Sequence, residues 1–255
     1  LLRSEKPLRI YGPPGFIGNV KGKLAGYTWN LIKSYPLTIE VYELGKNRVK
    51  KAIFASCEGF KVRYEDCGDK ILNIDDGFTV EYCFFDHNTT SVGYRIKEPE
   101  LIKINRDKLD NLGIKAGKWL SILKNSLFNG NRDGDIYIED LDRALPIKYL
   151  EEQIVEYHKS QDITFITDIA PTYDNFKKAI DFAKDSHILL IESMFMKKDF
   201  LHAIEKSHLL IPMAKEIFRL SGSRYVKFFH YAPKYDKIKE DFFRELREEI
   251  QDNII

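Results

Sequence analysis

The sequence predicts a mixed α/β (α+β) fold with helices packed outside β-sheets, and three observations carry that prediction. Strand-like segments crowd the stretch from Leu37 to Ile96. A basic, helical stretch of different character follows. From Ile163 onward short apolar strands alternate with amphipathic helices.

The first element, Leu8-Arg9-Ile10-Tyr11, reads as a short strand broken at Gly12-Pro13-Pro14-Gly15. Ile17, Val20, Leu24, Tyr27 and Leu31 recur at helical spacing and predict a helix after that turn. Strands are then expected over Thr38–Tyr42, Lys51–Ala55, Lys61–Tyr64, Phe78–Phe85 and Ser91–Ile96, with a turn at Asp75-Asp76-Gly77. Between residues 103 and 132 the reading is a helical insertion with seven basic side chains (Lys103, Arg106, Lys108, Lys115, Lys118, Lys124 and Arg132) against Asp107 and Asp110, a local excess of +5. Beyond it, Ile163–Thr167, Ile188–Ile191 and Tyr225–Phe229 read as strands. Helices are expected around Phe176, Ala179, Ile180 and Ala183, near Asp199–Glu205, over Leu209, Met213, Ile217 and Leu220, and at the charged end of the chain.

Composition narrows the class without choosing a partner. With 255 residues, 44% apolar and 31% charged, the chain is long enough for a large core, and a net charge of +1 means that any nucleic-acid footprint is local. Cys57, Cys67 and Cys83 form no C-x-x-C pair, which reads as a reduced, cytoplasmic protein without a disulfide framework or a cysteine zinc site. No apolar run reaches the roughly 18 residues that a membrane-spanning helix needs, so no membrane partner is expected. The opening Leu1-Leu2-Arg3 lacks a methionine and reads as a cut within a larger protein.

The chemistry is expected at strand ends. Phe78–Phe85 runs into Asp86-His87, Ile163–Thr167 into Asp168, Ile188–Ile191 into Glu192, and Tyr225–Phe229 into His230. Loops converge at strand ends without interrupting a core, and histidine with aspartate is a donor set that zinc accepts. His208 joins them as a residue expected to open a helix and point outward, whereas His158, His187 and His202 are assigned surface or packing roles.

At these residues the chain resembles the RNase Z family of the metallo-β-lactamase superfamily. Tyr11-Gly12-Pro13-Pro14-Gly15 is similar to the family's Y-G-P-x-G turn, and His87 with Gly93-Tyr94-Arg95 resembles its H-x-x-x-x-x-G-Y-R segment. Thr167-Asp168-Ile169-Ala170-Pro171 resembles S-D-T-x-P, and Ile191-Glu192-Ser193-Met194-Phe195 resembles H-E-A-T-F. Ser207-His208 stands where the family has G-H-S/T, and His230-Tyr231-Ala232-Pro233-Lys234-Tyr235 resembles H-x-S-x-R-Y. The matches run in order from Leu2 to Asp236. Lys115-Ala116, Ile169, Leu209 and Lys234 depart from the family's usual proline, threonine, hydroxyl residue and arginine.

The resemblance implies a four-layer αββα metallo-β-lactamase sandwich, incomplete at its N-terminus. It implies a hydrolase that removes the 3′ trailer from precursor tRNA, with two zinc ions per intact subunit (manganese or iron remaining open, since such sites accept several metals). His87, Asp168 and His230 would be metal ligands, with Glu192 and His208 an acid–base pair. Leu112-Gly113-Ile114-Lys115-Ala116-Gly117-Lys118-Trp119 resembles the stretch of the family's arm that grips tRNA, so Lys103, Arg106, Lys108, Lys115, Lys118 and Lys124 are the expected RNA contacts, in a homodimer. The family's H-x-H-x-D-H motif, which supplies three histidines and an aspartate, belongs just before the stretch that Leu1-Leu2-Arg3-Ser4 resembles, and it is not in this chain. The chain as it stands is therefore expected to bind zinc at one partial site and to have little activity. Two rival readings are a superfamily hydrolase acting on a small phosphodiester or sulfate ester, which needs no basic arm, and a catalytically inactive RNA-binding remnant.

Overall fold

The computed structural model describes residues 6–29, 35–67, 72–74, 77–99, 101–158, 160–248 and 250–255. Leu1-Leu2-Arg3-Ser4, the helical position Leu31 and the turn residues Asp75 and Asp76 lie outside them.

In chain order the elements are β1 (Leu8–Gly12), α1 (Phe16–Ala25), β2 (Thr38–Leu44), β3 (Val49–Ala55), β4 (Val62–Cys67), β5 (Leu72–Asn73), β6 (Thr79–Asp86) and β7 (Thr90–Lys97). Then come β8 (Leu101–Ile104), α2 (Arg106–Asn111), α3 (Trp119–Phe128), β9 (Asp135–Ile138), β10 (Arg143–Pro146), α4 (Ile147–Ile154) and β11 (Val155–His158). The chain continues with β12 (Asp162–Ile166), α5 (Tyr173–Phe182), β13 (Ile188–Glu192), α6 (Phe200–Lys206), α7 (Ile211–Ser221), β14 (Tyr225–Phe229) and α8 (Lys239–Arg247). These fall into two compact units. One holds the described residues up to Lys97 together with Asp162–Ile255, and the other is Glu98–Gln161.

The larger unit has four layers, and strand periodicity shows why. In β2, Ile39 and Val41 face α1, where they meet Ile17, Val20 and Leu24. Tyr42 and Leu44 point the other way, toward Tyr82, Val80 and Phe84 of β6. Along β6 the same alternation sends Phe85 and Cys83 to the opposite face, against Ala179, Phe182, Ala214 and Ile217 of α5 and α7. The order is thus α1, the sheet β1-β2-β3-β4, the sheet β14-β13-β12-β7-β6-β5, then α5 and α7. This is the αββα arrangement expected. Hydroxyls tie the sheets together: Tyr82 donates to the Gly45 carbonyl at 2.8 Å and Tyr94 to that of Tyr11 at 3.2 Å. Burying Phe54, Val41, Leu189 and Ile191 completely contributes about 1.5–3 kcal/mol for each side chain.

Two expectations change. The helix predicted through Tyr27 stops at Ala25, because Gly26 closes its last turn onto the Gly22 carbonyl; Tyr27 instead tilts against Trp29, which packs edge-on to Phe60. The stretch 103–132 lies inside a larger unit that also contains strands. β8 pairs antiparallel with β11, β9 with β10, and ten buried residues, Trp119, Leu123, Leu127, Ile138 and Leu150 among them, form its own core.

Candidate metal centre

Strand direction builds the site. β12, β13 and β14 run parallel, and β6 runs the same way because both it and β12 are antiparallel to β7. All four therefore deliver their C-terminal residues to one edge of the sheet, where Asp168, Glu192 and His230 arrive with His208 from the connector before α7. Ligand atoms of these four lie within 4.8 Å of one another.

Glu192 ends β13 and is fully buried. Its Oε2 accepts the Asp168 amide at 2.7 Å, its Oε1 accepts the Leu209 amide at 2.9 Å, and His208 Nδ1 donates to both oxygens at 3.1 and 3.2 Å. Burial alone would push this carboxyl up, but the hydrogen bonds from His208 and the Leu209 amide, with the His230 ring close by, outweigh it and hold the group at about 2, so Glu192 is an anion at neutral pH. His230 is pushed the other way, up, because Glu192 faces it more strongly than burial opposes its charge.

Backbone strain marks the same spot. Asp168 and His230 both sit in the left-handed region, at φ 52° and 58°, which costs about 1–3 kcal/mol each for a residue with a side chain. The buried His230 Nδ1 lies 3.4 Å from Glu192 Oε2 and 3.7 Å from Asp168 Oδ1, yet makes no hydrogen bond. An orphaned ring nitrogen beside an accessible carboxylate fits a cation, as does the Asp/His donor set.

His208 corrects its expectation. It does not open a helix facing solvent: α7 begins at Ile211, and the His208 ring is turned inward and buried. α6 ends in a left-handed Ser207 at φ 59°, after which the His208 amide bonds back to the Ala203 carbonyl, a helix stop that swings the following side chain onto Glu192. His87 lies beside this group. Its ring is 4.5 Å from that of His208, and its Nδ1 donates to the Ser207 carbonyl at 2.7 Å, leaving Nε2 with a free lone pair. His158 is exposed on β11, His187 packs against Tyr225, and His202 lies against Phe195.

Asn175 is a residue the sequence did not single out. Fully buried in α5, it accepts the Asp86 amide at 3.0 Å and donates to the carbonyls of Asp86 and Ala170 at 2.7 and 2.9 Å. It thereby ties the end of β6 to the Asp168 loop. Its only sequence signal is a place three residues after the helix-capping Thr172.

The six expected RNA contacts are exposed in the 98–161 unit, though Lys108 lies 3.4 Å from Glu156. Residues 133–158 carry eight acidic side chains against Arg143 and Lys148, so the whole unit has ten basic and twelve acidic residues, a net −2. The +5 of its first half is answered by its second.

No protein-family model matches the chain. Among curated proteins it is 30% identical to Ribonuclease Z of Nanoarchaeum equitans over 197 residues, covering 74% of this chain and 55% of that protein. It is 25% identical to Ribonuclease Z of Picrophilus torridus over 232 residues, or 91% and 60% of the two. The chain spans about half the length of these curated relatives. Among solved structures, human tRNase Z, short form, aligns at 13% identity and TM-score 0.46 over 91% of this chain and 62% of that one. A metallo-β-lactamase fold protein of Bacillus subtilis aligns at 10% and 0.48, over 97% and 61%. Those structural likenesses are loose, and the weight rests on the sequence relatives. By them the chain belongs to the ribonuclease Z family.

Proposed function

We propose that the protein takes part in endonucleolytic removal of the 3′ trailer from precursor tRNA, as a metal-dependent hydrolase. The observation that carries this reading is the convergence of Asp168, Glu192, His208 and His230 at one sheet edge in a relative of Ribonuclease Z. The curated name gives the nuclease activity, and the resemblance of the sequence motifs implies tRNA as its substrate.

In this reading His87, Asp168 and His230 hold the metal, proposed to be zinc, which when bound lowers the pKa of a coordinated water and polarises the phosphodiester. Glu192 is a positioning residue: accepting from two amides and from the bifurcated His208 Nδ1–H, it holds the Asp168 loop and the His208 ring together. His208, held at Nδ1, is the proton donor in its doubly protonated form: its Nε2 proton passes to the leaving oxygen and leaves the neutral imidazole. The Ser207 carbonyl sets the His87 tautomer so that Nε2 is the ligand atom. Lys103, Arg106, Lys115, Lys118 and Lys124 supply phosphate contacts, and only that local part of the 98–161 unit is basic. A homodimer and a cytoplasmic setting complete the proposal. Among the described residues no helix is long and apolar enough to cross a membrane.

The test is incubation of the protein with precursor tRNA and zinc, mapping the 3′ end of the product. With one partial site the yield is expected to be low, the product being tRNA with a 3′-hydroxyl and a trailer with a 5′-phosphate, lost on Asp168→Ala. RNA that is bound yet yields no trace of cleavage even with zinc in large excess favours the non-catalytic reading. Metal analysis accompanies it: one weakly held zinc per chain is expected, and two tightly held ones would contradict the partial site.

A further inference from the structure

A second group of polar side chains lies at the same sheet edge, outside the metal centre. Lys234 follows His230 by four residues. Its Nζ is 2.7 Å from Asp199 Oδ1 and 3.2 Å from His202 Nδ1, and it stands 5.0 Å from the centre of the Phe195 ring and 5.1 Å from that of Tyr235. Asp199 is fixed in turn, because the buried Tyr235 hydroxyl donates to its Oδ2 at 2.5 Å while accepting the Met196 amide at 3.0 Å.

Such confinement changes what a lysine can do. A free lysine loses rotamer freedom when it binds a ligand, and that loss weakens it as a contact; here most of the loss is already incurred on folding. An ammonium has three protons to donate, and Asp199 and His202 take two. Because His202 accepts at Nδ1, its own proton sits on Nε2, which makes the imidazole a second fixed donor. The Lys234 side chain stays 36% accessible.

Phe195 links this group to the metal centre. Its ring lies 4.9 Å from that of His202 and 6.4 Å from that of His208, and the His208 ring is 5.0 Å from that of His230. The held ammonium is thus within a few ring contacts of the proposed acid–base pair.

We propose that His202 and Lys234 form a subsite for a backbone phosphate of the nucleic-acid strand, next to the phosphodiester held at the metal centre; this rests on the nuclease reading above. Asp199 cancels the formal charge of Lys234, so the subsite is too weakly attractive to capture a free phosphate. It serves a phosphate delivered by a polymer anchored elsewhere, where donor geometry counts for more than net charge. The competing role is a brace that only ties the Asp199–His202 segment to the Pro233–Tyr235 turn.

Salt dependence separates the two. Binding of labelled precursor tRNA to the full chain is followed from about 50 to about 200 mM salt for the unaltered protein, Lys234→Gln, Lys234→Arg, His202→Phe and the charge-balanced pair Asp199→Asn with Lys234→Gln. Lys234→Gln is expected to bind several-fold more weakly with a salt slope lower by about one, and the balanced pair, which leaves the local net charge as it was, several-fold more weakly at an unchanged slope. Lys234→Arg keeps the slope, and His202→Phe weakens binding without changing it. A brace predicts lower melting temperatures with an unchanged slope, and that result overturns the subsite. An unaltered protein that binds no tRNA overturns the nuclease reading and the subsite with it, whereas tRNA binding indifferent to all four variants overturns the subsite alone.

Discussion

At the edge of the six-stranded sheet a single buried carboxylate, Glu192, is shared among two amides and an imidazole, and two of its neighbours are held in left-handed backbone. In the 98–161 unit the charges stay at the surface and pair off locally: Lys108 with Glu156, Arg132 with Glu151, Lys148 with Asp133. The first arrangement is a network in which each group needs the others, since a buried donor left alone forfeits its full desolvation cost. The second is a set of solvated pairs that contribute little to stability. One region is built for placement, the other for a surface that water and salt can retune.

The largest way to break this contrast is Glu192→Ala. It strands the Asp168 and Leu209 amides and the His208 ring, and a loss of about 3–5 kcal/mol is expected in urea unfolding; a loss below about 1 kcal/mol would mean that the network is not one unit. Next comes Leu123→Ala, which empties part of the separate core around α3 and costs about 2–5 kcal/mol. Hydrogen exchange should speed in 98–161 while zinc affinity is unchanged, and a matching loss of zinc affinity would show that the two regions do not fold apart.

Ser207→Gly should act in the opposite direction. A left-handed residue at φ 59° is relieved by glycine, with a gain of about 0.5–1 kcal/mol in melting experiments, less whatever the hydrogen bond from Asn88 to the serine hydroxyl contributes. The smallest change expected is Lys124→Gln, within about 0.5 kcal/mol in stability. Its effect should appear instead as weaker tRNA binding at low salt; indifference there would remove Lys124 from the proposed contact surface.

The contrast also explains what could be read from sequence. Strands in the larger unit alternate or run apolar over five to eight residues, as Thr79–Asp86 and Ile188–Glu192 do, so their ends and the residues just beyond could be found. β8 and β11 have four residues each and pair across some fifty positions, which no local pattern reveals. For the same reason the basic count over 103–132 missed its acidic complement, which starts at Asp133. The inward turn of His208 depends on Ser207 adopting a conformation usual for glycine, and Asn175 acts through three backbone groups of remote segments. Neither leaves a periodic trace.

Lys97 and Asp162 are register partners across β7 and β12, and just beyond them the Glu98 amide donates to the Gln161 carbonyl at 3.0 Å. To the sheet, everything between is one very long hairpin loop. A two-residue Asn-Gly turn closes the same gap in ordinary hairpins. The entire 98–161 unit is therefore a cassette, one that can be exchanged or excised at a single joint while the strands that deliver Asp168, Glu192 and His230 keep their register.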